Sequence, residues 1–258
     1  MTGEGYINTI DIHGTQNGAD LILPGTQSTG VTVKAGTLRA GTNIELGSGL
    51  KSLTATQWDG SPSAPLRTSA LIAPWVSKIT ISSDFGADLI LSGSSSVAQT
   101  LGTLTVKGNI QGGDWDIGGN VGKISVTGAM DNVEMRATGN VTSLTTGALR
   151  HSTVFAGVKD EVEGLPASLN DFEVVVEIKA LTIKGISGST EPSFVDSRIA
   201  ARNLGKVSLK GMKADNEGTP FGLAADKITS YTRDKTKLSK LDTPDELDKQ
   251  GDYIVMIL

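Results

Sequence analysis

The chain has 258 residues, 38% hydrophobic but only 4% aromatic, with 32 glycines, no cysteine and a formal charge of -5. The lack of cysteine excludes disulfides and thiolate metal sites, and mild acidity without a basic stripe argues against a nucleic-acid partner. No stretch approaches the roughly 20 apolar residues of a membrane span, so no membrane insertion is expected, and the opening MTGEGYINTIDIHG lacks the pattern of a signal peptide.

Read in chain order, one unit recurs: an apolar residue, two spacers, then alternating apolar positions, often closed by glycine. It stands at Ile7-Ile10-Ile12-Gly14, Val76-Ile79-Ile81, Leu101-Leu104-Val106-Gly108, Val121-Ile124-Val126-Gly128 and Leu204-Val207-Leu209-Gly211. Weaker copies start at Leu50, Val141, Ile178 and Ala225. Such alternation predicts a half-buried strand. A second short strand is predicted in each full unit, at Asp114–Ile117, Glu134–Ala137, Thr153–Ala156 and Ser197–Ala200. The spacing is twenty residues between Leu101 and Val121, and again between Val121 and Val141, a period that points to a stacked repeat architecture. A longer echo, GADLIL, is shared by Ile7–Gly25 and Val76–Gly93 and suggests duplication of a block. Asn120, Asn140 and Asn203 precede new units. They are either simple turn residues or a ladder of stacked side-chain amides.

Three stretches break the pattern. Residues 57–74 hold WDGSPSAP and read as a protruding loop, and residues 158–177 are acidic and read as an excursion from the wall. From Tyr231 glycines thin out and charges rise. Thr243-Pro244-Asp245-Glu246 carries the signals of a helix start, and Tyr253–Leu258 reads as a final strand. The expectation is an all-β fold: a single-stranded right-handed parallel β-helix of about ten coils, each about 20–25 residues. The coils occupy 1–228, and a small cap with a short helix and a last strand occupies 229–258. No cap precedes the first coil, so its open edge is expected to meet an upstream domain or a second copy.

The coil pattern, together with Gly218–Ala225 and Gly251–Val255 near the end, resembles the right-handed parallel β-helix regions of large bacterial secreted and surface repeat proteins. The resemblance implies an exported or cell-surface protein with a stalk-like or wall-associated part, and it carries no functional residues across. The same fold hosts polysaccharide lyases and hydrolases, which is fold analogy only. Neither His13 nor His151 stands in a Gly-His-Gly context, and both read as turn or surface residues.

Registering the units places chemistry in columns. Asp114 and Glu134 are twenty apart and point outward, Asp116 and Arg136 form the next outward pair, and Asp88 joins the first column through the GADLIL match. Trp115 and Ile117 then point inward. Adjacent carboxylates at Asp88, Asp114 and Glu134 would raise one another's pKa, hold a calcium ion, or serve a glycosidase, and the plainest alternative is a solvated acidic face. Trp58 either stacks on a sugar from its loop or folds back over the core. The leading expectation is a non-catalytic structural or adhesive module, with no cofactor required and a polysaccharide or cell-envelope component as partner. The alternatives are a polysaccharide-binding or polysaccharide-degrading protein using Asp88, Asp114, Asp116, Glu134, Arg136 and Trp58, and self-association through the N-terminal coil.

Overall fold

The computed structural model describes residues 7–26, 29–60 and 69–258. The centre of the predicted 57–74 loop and the first six residues lie outside these.

The repeat pattern places the strands side by side. Leu50 pairs with Val76, Val76 with Leu101, Leu101 with Val121, Val121 with Val141, Val141 with Ile178, and Ile178 with Leu204. The next neighbour of Leu204 is Ile228, so the last unit begins inside Lys227–Arg233 rather than at Ala225. Within each strand, alternation drives one set of side chains out of water. Leu104, Ile124, Leu144, Leu181, Val207 and Tyr231 form one such inward row, all fully buried. Trp115 and Ile117 are buried as their parity requires.

The sheet organisation corrects the expected single-stranded right-handed β-helix. Strand dominates the described residues. Among the described residues it builds large sheets of 12 and 11 strands and a small one of 4. The chain alternates between the two large sheets, each of which is mixed. Neighbours run parallel until the C-terminal end. There Thr236–Leu241 pairs antiparallel with Lys227–Arg233, and Asp245–Gln250 pairs antiparallel with Tyr253–Ile257. Alternation within a strand reports one inward face. It does not report into how many sheets the strands are sorted, nor that the last ones double back.

The predicted helix after Thr243 is also corrected. Asp245–Gln250 is a strand in which Leu247 faces Val255 and packs on the core. Sheet pairing and burial of Leu247 outweigh a local capping signal. Among the described residues the helical structure is one short 3-10 turn, Leu169–Asp171.

One apolar cluster draws on both large sheets and runs from Val31 to Ile257. Aromatic side chains sit at two levels of it. Trp58, Phe85 and Trp115 follow one another at centroid spacings of 5.9 and 6.2 Å, and Phe194, Phe221 and Tyr253 meet near the closed end. Trp75 lies over Gly49, where any side chain would collide with its indole.

Asn120 and Asn140 link neighbouring units through the backbone, not by stacking their side-chain amides. Asn140 N–H donates to Asn120 Oδ1 at 2.9 Å, and Glu177 N–H donates to Asn140 Oδ1 at 2.8 Å. Each side chain thus satisfies a main-chain donor at the start of the neighbouring strand. Left-handed corners fall instead at Asn132, His151 and Asp196.

Candidate functional site

The outer face of the 11-stranded sheet carries the predicted columns. Asp114 faces Glu134, Glu134 faces Thr153, and Thr153 faces Arg198 on successive strands. Asp88 adjoins Asp114, since Leu89 pairs with Trp115 and the Asp114 N–H donates to Asp88 Oδ1 at 2.9 Å. Burial lifts the Asp88 carboxyl above the usual aspartate range. The Asp114 N–H opposes that rise and the Asp114 charge adds to it.

In the second column Asp116 faces Arg136, and Arg136 faces Phe155. The expected Asp116–Arg136 ion pair does not form. Arg136 Nε donates to Glu134 Oε1 at 2.7 Å, and its two other nitrogens donate to the carbonyls of Lys159 and Val162 at 3.1 and 2.8 Å. Its guanidinium lies 5.2 Å from the centre of the Phe155 ring.

Arg136 is drawn away from Asp116 by the 158–177 segment, which folds back over this face as a strap. Val158 and Phe172 bridge to each other and close on Phe155, Ala200 and Ala224, forming a second, smaller apolar cluster. Phe155, of outward parity, is buried because the strap covers it. Replacing Arg136 with alanine removes two hydrogen bonds from a charged donor to the strap, worth about 1.5–3 kcal/mol each. The expected result is strap opening that is at least about tenfold more frequent, read as faster cleavage after Glu161 and Glu163 by a glutamate-specific protease. Unchanged cleavage would show that the Phe155–Phe172 contacts alone hold it.

Between strap and sheet lies a groove of about 580 Å³. Asp114, Glu134, Asp160 and Glu163 line it against Arg136 and Arg198, so carboxylates outnumber guanidinium groups. Arg198 also lines an adjoining recess of about 560 Å³, walled by Leu165, Pro220, Ile254 and Met256. Arg198 is common to both, and the lining of the groove is the more polar of the two.

His151 also lines the groove. Its Nδ1 lies 2.9 Å from Asp131 Oδ1, its backbone is left-handed at φ 47, and half of the side chain is exposed. Asp131 and His151 are separated by the same twenty residues as the repeat, the one signal of this pair that the sequence carries.

Trp58 belongs elsewhere. It lies in the short strand Gln57–Trp58, 0% exposed, and so offers no face to a sugar. The core-covering reading is the one that describes it. The calcium reading of Asp88, Asp114 and Glu134 meets a similar difficulty. Among the described residues, no group of three or more His, Cys, Asp or Glu is arranged to hold a metal ion. Asp88 is engaged by a main-chain donor and Glu134 by Arg136. No helix among the described residues is long and apolar enough to cross a membrane.

No protein family, curated protein or solved structure matches this chain.

Proposed function

We propose that this chain is a rigid, non-catalytic structural module with an adhesive groove. The observation that carries this reading is the unbroken strand pairing from Thr9 to Ile257 around one shared core. With strands about 4.8 Å apart, a sheet of 12 strands is on the order of 50 Å long. Bending such a body means breaking ladders of main-chain hydrogen bonds in two sheets together, so it suits a spacer. Hydrogen-bonded strands also leave little backbone open to proteases, which favours an extracellular or cell-envelope setting.

The strap groove favours a second reading, recognition or cleavage of a polysaccharide. Its carboxylates, Thr153 and His151 offer acceptors and donors for sugar hydroxyls, while Leu165, Ile254 and Met256 offer apolar surface to a ring face. Incubation with plant, algal and bacterial polysaccharides, with and without calcium, separates the readings when bound protein and new reducing ends are both followed. The module reading expects binding without new reducing ends, weakened about tenfold or more in Asp114→Ala and Glu134→Ala variants. New reducing ends that vanish in those variants would replace it with a hydrolase. No binding anywhere on the panel would leave the spacer without its adhesive groove.

A further inference from the structure

Charge is sorted by sheet. The outer face of the 11-stranded sheet carries Glu45, Asp88, Asp114, Asp116 and Glu134. In the 12-stranded sheet, the strands between Leu50 and Arg233 hold a single carboxylate, Glu177, at the first position of its strand. Register gathers the outward positions of these strands into columns. One column is an unbroken run of hydroxyls, from Thr54 through Thr80, Thr105, Ser125 and Thr145 to Thr232. Lys78, Lys123 and Lys206 stand in the column on one side of it. Lys107, Lys184 and Lys210 stand on the other side, each directly after the last buried residue of its strand, Val106, Ile183 and Leu209. All six lysines are exposed, and among the described residues none has an ion pair or a side-chain hydrogen bond. The net charge of -5 conceals this basic face. The sequence shows no basic run either, because the lysines come at most two to a unit and only strand pairing gathers them.

We propose that this face binds an acidic polysaccharide of the polyuronate type, laid along the hydroxyl column. The strands are about 4.8 Å apart, close to the length of one sugar unit in an extended chain. Successive sugars then meet successive hydroxyls, and their carboxylates reach ammonium groups on either side. Each lysine is a compact point charge with no competing partner in its own chain. No large apolar side chain is exposed on these strands. The face therefore lacks the aromatic anchors in which protein interfaces concentrate their energy, the apolar wedge that holds a peripheral protein in a lipid layer, and the rings on which unpaired bases stack. An unbroken sheet also offers no helix to enter the grooves of a duplex. What remains is charge complementarity and hydroxyl bonding, which suit a hydrated polyanion. The strap groove lies on the other large sheet, so the proposal does not rest on what that groove binds.

Titration calorimetry with polygalacturonate, with dextran as the uncharged control, tests the proposal. Binding to polygalacturonate and not to dextran is expected, weakening as salt screens the charges. Lys78→Glu combined with Lys123→Glu is expected to weaken it at least about tenfold. Lys213→Glu combined with Lys249→Glu changes the net charge equally, beside the 4-stranded sheet and on the 11-stranded one, and is expected to leave binding unchanged. Asp114→Ala, which reports on the groove, is expected to leave it unchanged too. All four lysines are exposed, so these variants keep the fold, which circular dichroism verifies. No binding of polygalacturonate, equal loss in the two lysine pairs, loss in Asp114→Ala, or tighter binding of duplex DNA or of phosphatidylserine vesicles would each overturn the proposal.

Discussion

Replacing Asp248 with alanine is expected to open the C-terminal end of the molecule and to cost about 3–5 kcal/mol. The carboxylate takes two hydrogen bonds from Arg233, at 2.6 and 2.7 Å, and a third from the Tyr231 hydroxyl at 2.6 Å. The Tyr231 hydroxyl in turn lies 2.7 Å from that of Tyr253. Tyr231 and Arg233 belong to the 12-stranded sheet, and Tyr253 and Asp248 to the 11-stranded one, so this network joins the two sheets where they close. Arg233 and Asp248 side chains are only 9% and 8% exposed, and deleting Asp248 leaves the Arg233 charge buried with only the long 3.8 Å contact to Asp234.

The network also predicts how stability varies with pH. Burial works to raise the Asp248 pKa, but the hydrogen bonds from Arg233 and Tyr231 outweigh it and hold the carboxyl below its ordinary 3.8. A depressed carboxylate contributes stability that is fully present above the unfolded value and is lost as pH falls through the folded one. Burial, and for Tyr231 also its bond to Asp248, raises both phenols above their ordinary 10.0. Their contribution is present below that value and is lost as pH rises beyond it. Urea unfolding should therefore show stability falling on both the acid and the alkaline side. Asp248→Asn keeps the shape of the side chain and should flatten the acid limb. An acid limb unchanged in Asp248→Asn would assign it to other carboxylates.

Trp115→Ala is expected to cost about 3–5 kcal/mol as well, through the cavity it leaves. The indole is buried between strands, with Leu89 and Met135 as its register neighbours and Phe85 6.2 Å away. Its Nε1 donates to the Ala87 carbonyl at 3.2 Å. The strands on either side are hydrogen-bonded at fixed spacing, so the walls have little freedom to collapse into the space. Trp115→Phe should cost less, since it keeps most of the apolar volume and loses the single donor. Urea unfolding of the two variants checks this. Equal losses would place the energetic weight on the Ala87 hydrogen bond rather than on packing.

The GADLIL block, Gly18–Leu23 and again Gly86–Leu91, does become equivalent strands of one sheet, Asp20–Leu23 and Asp88–Leu91. The inward placing of Trp115 and Ile117 was legible for the same reason, because parity within a strand follows from geometry over a few residues. So was the column of Asp114 and Glu134, which requires only the period and strand pairing in register. The excursion at 158–177 was visible as a break in the pattern, and Phe155, of outward parity, as a residue for it to cover, but not the carbonyls of Lys159 and Val162 that it brings to Arg136. Arg136 lost its expected partner Asp116 to that strap, and the Asp131–His151 pair needed a corner whose backbone conformation no repeat pattern describes.

The strands of the recurring unit, their inward faces and their neighbour order thus followed from the sequence alone, because each rests on the alternation of a few adjacent residues repeated at a constant period. The sorting of strands into two large mixed sheets, the antiparallel closure, the burial of Trp58 and the groove under the strap were decided only by the tertiary structure. Each of these depends on contacts between residues far apart in the chain, whose desolvation and hydrogen bonding outweigh the local signals at Thr243 and at Trp58.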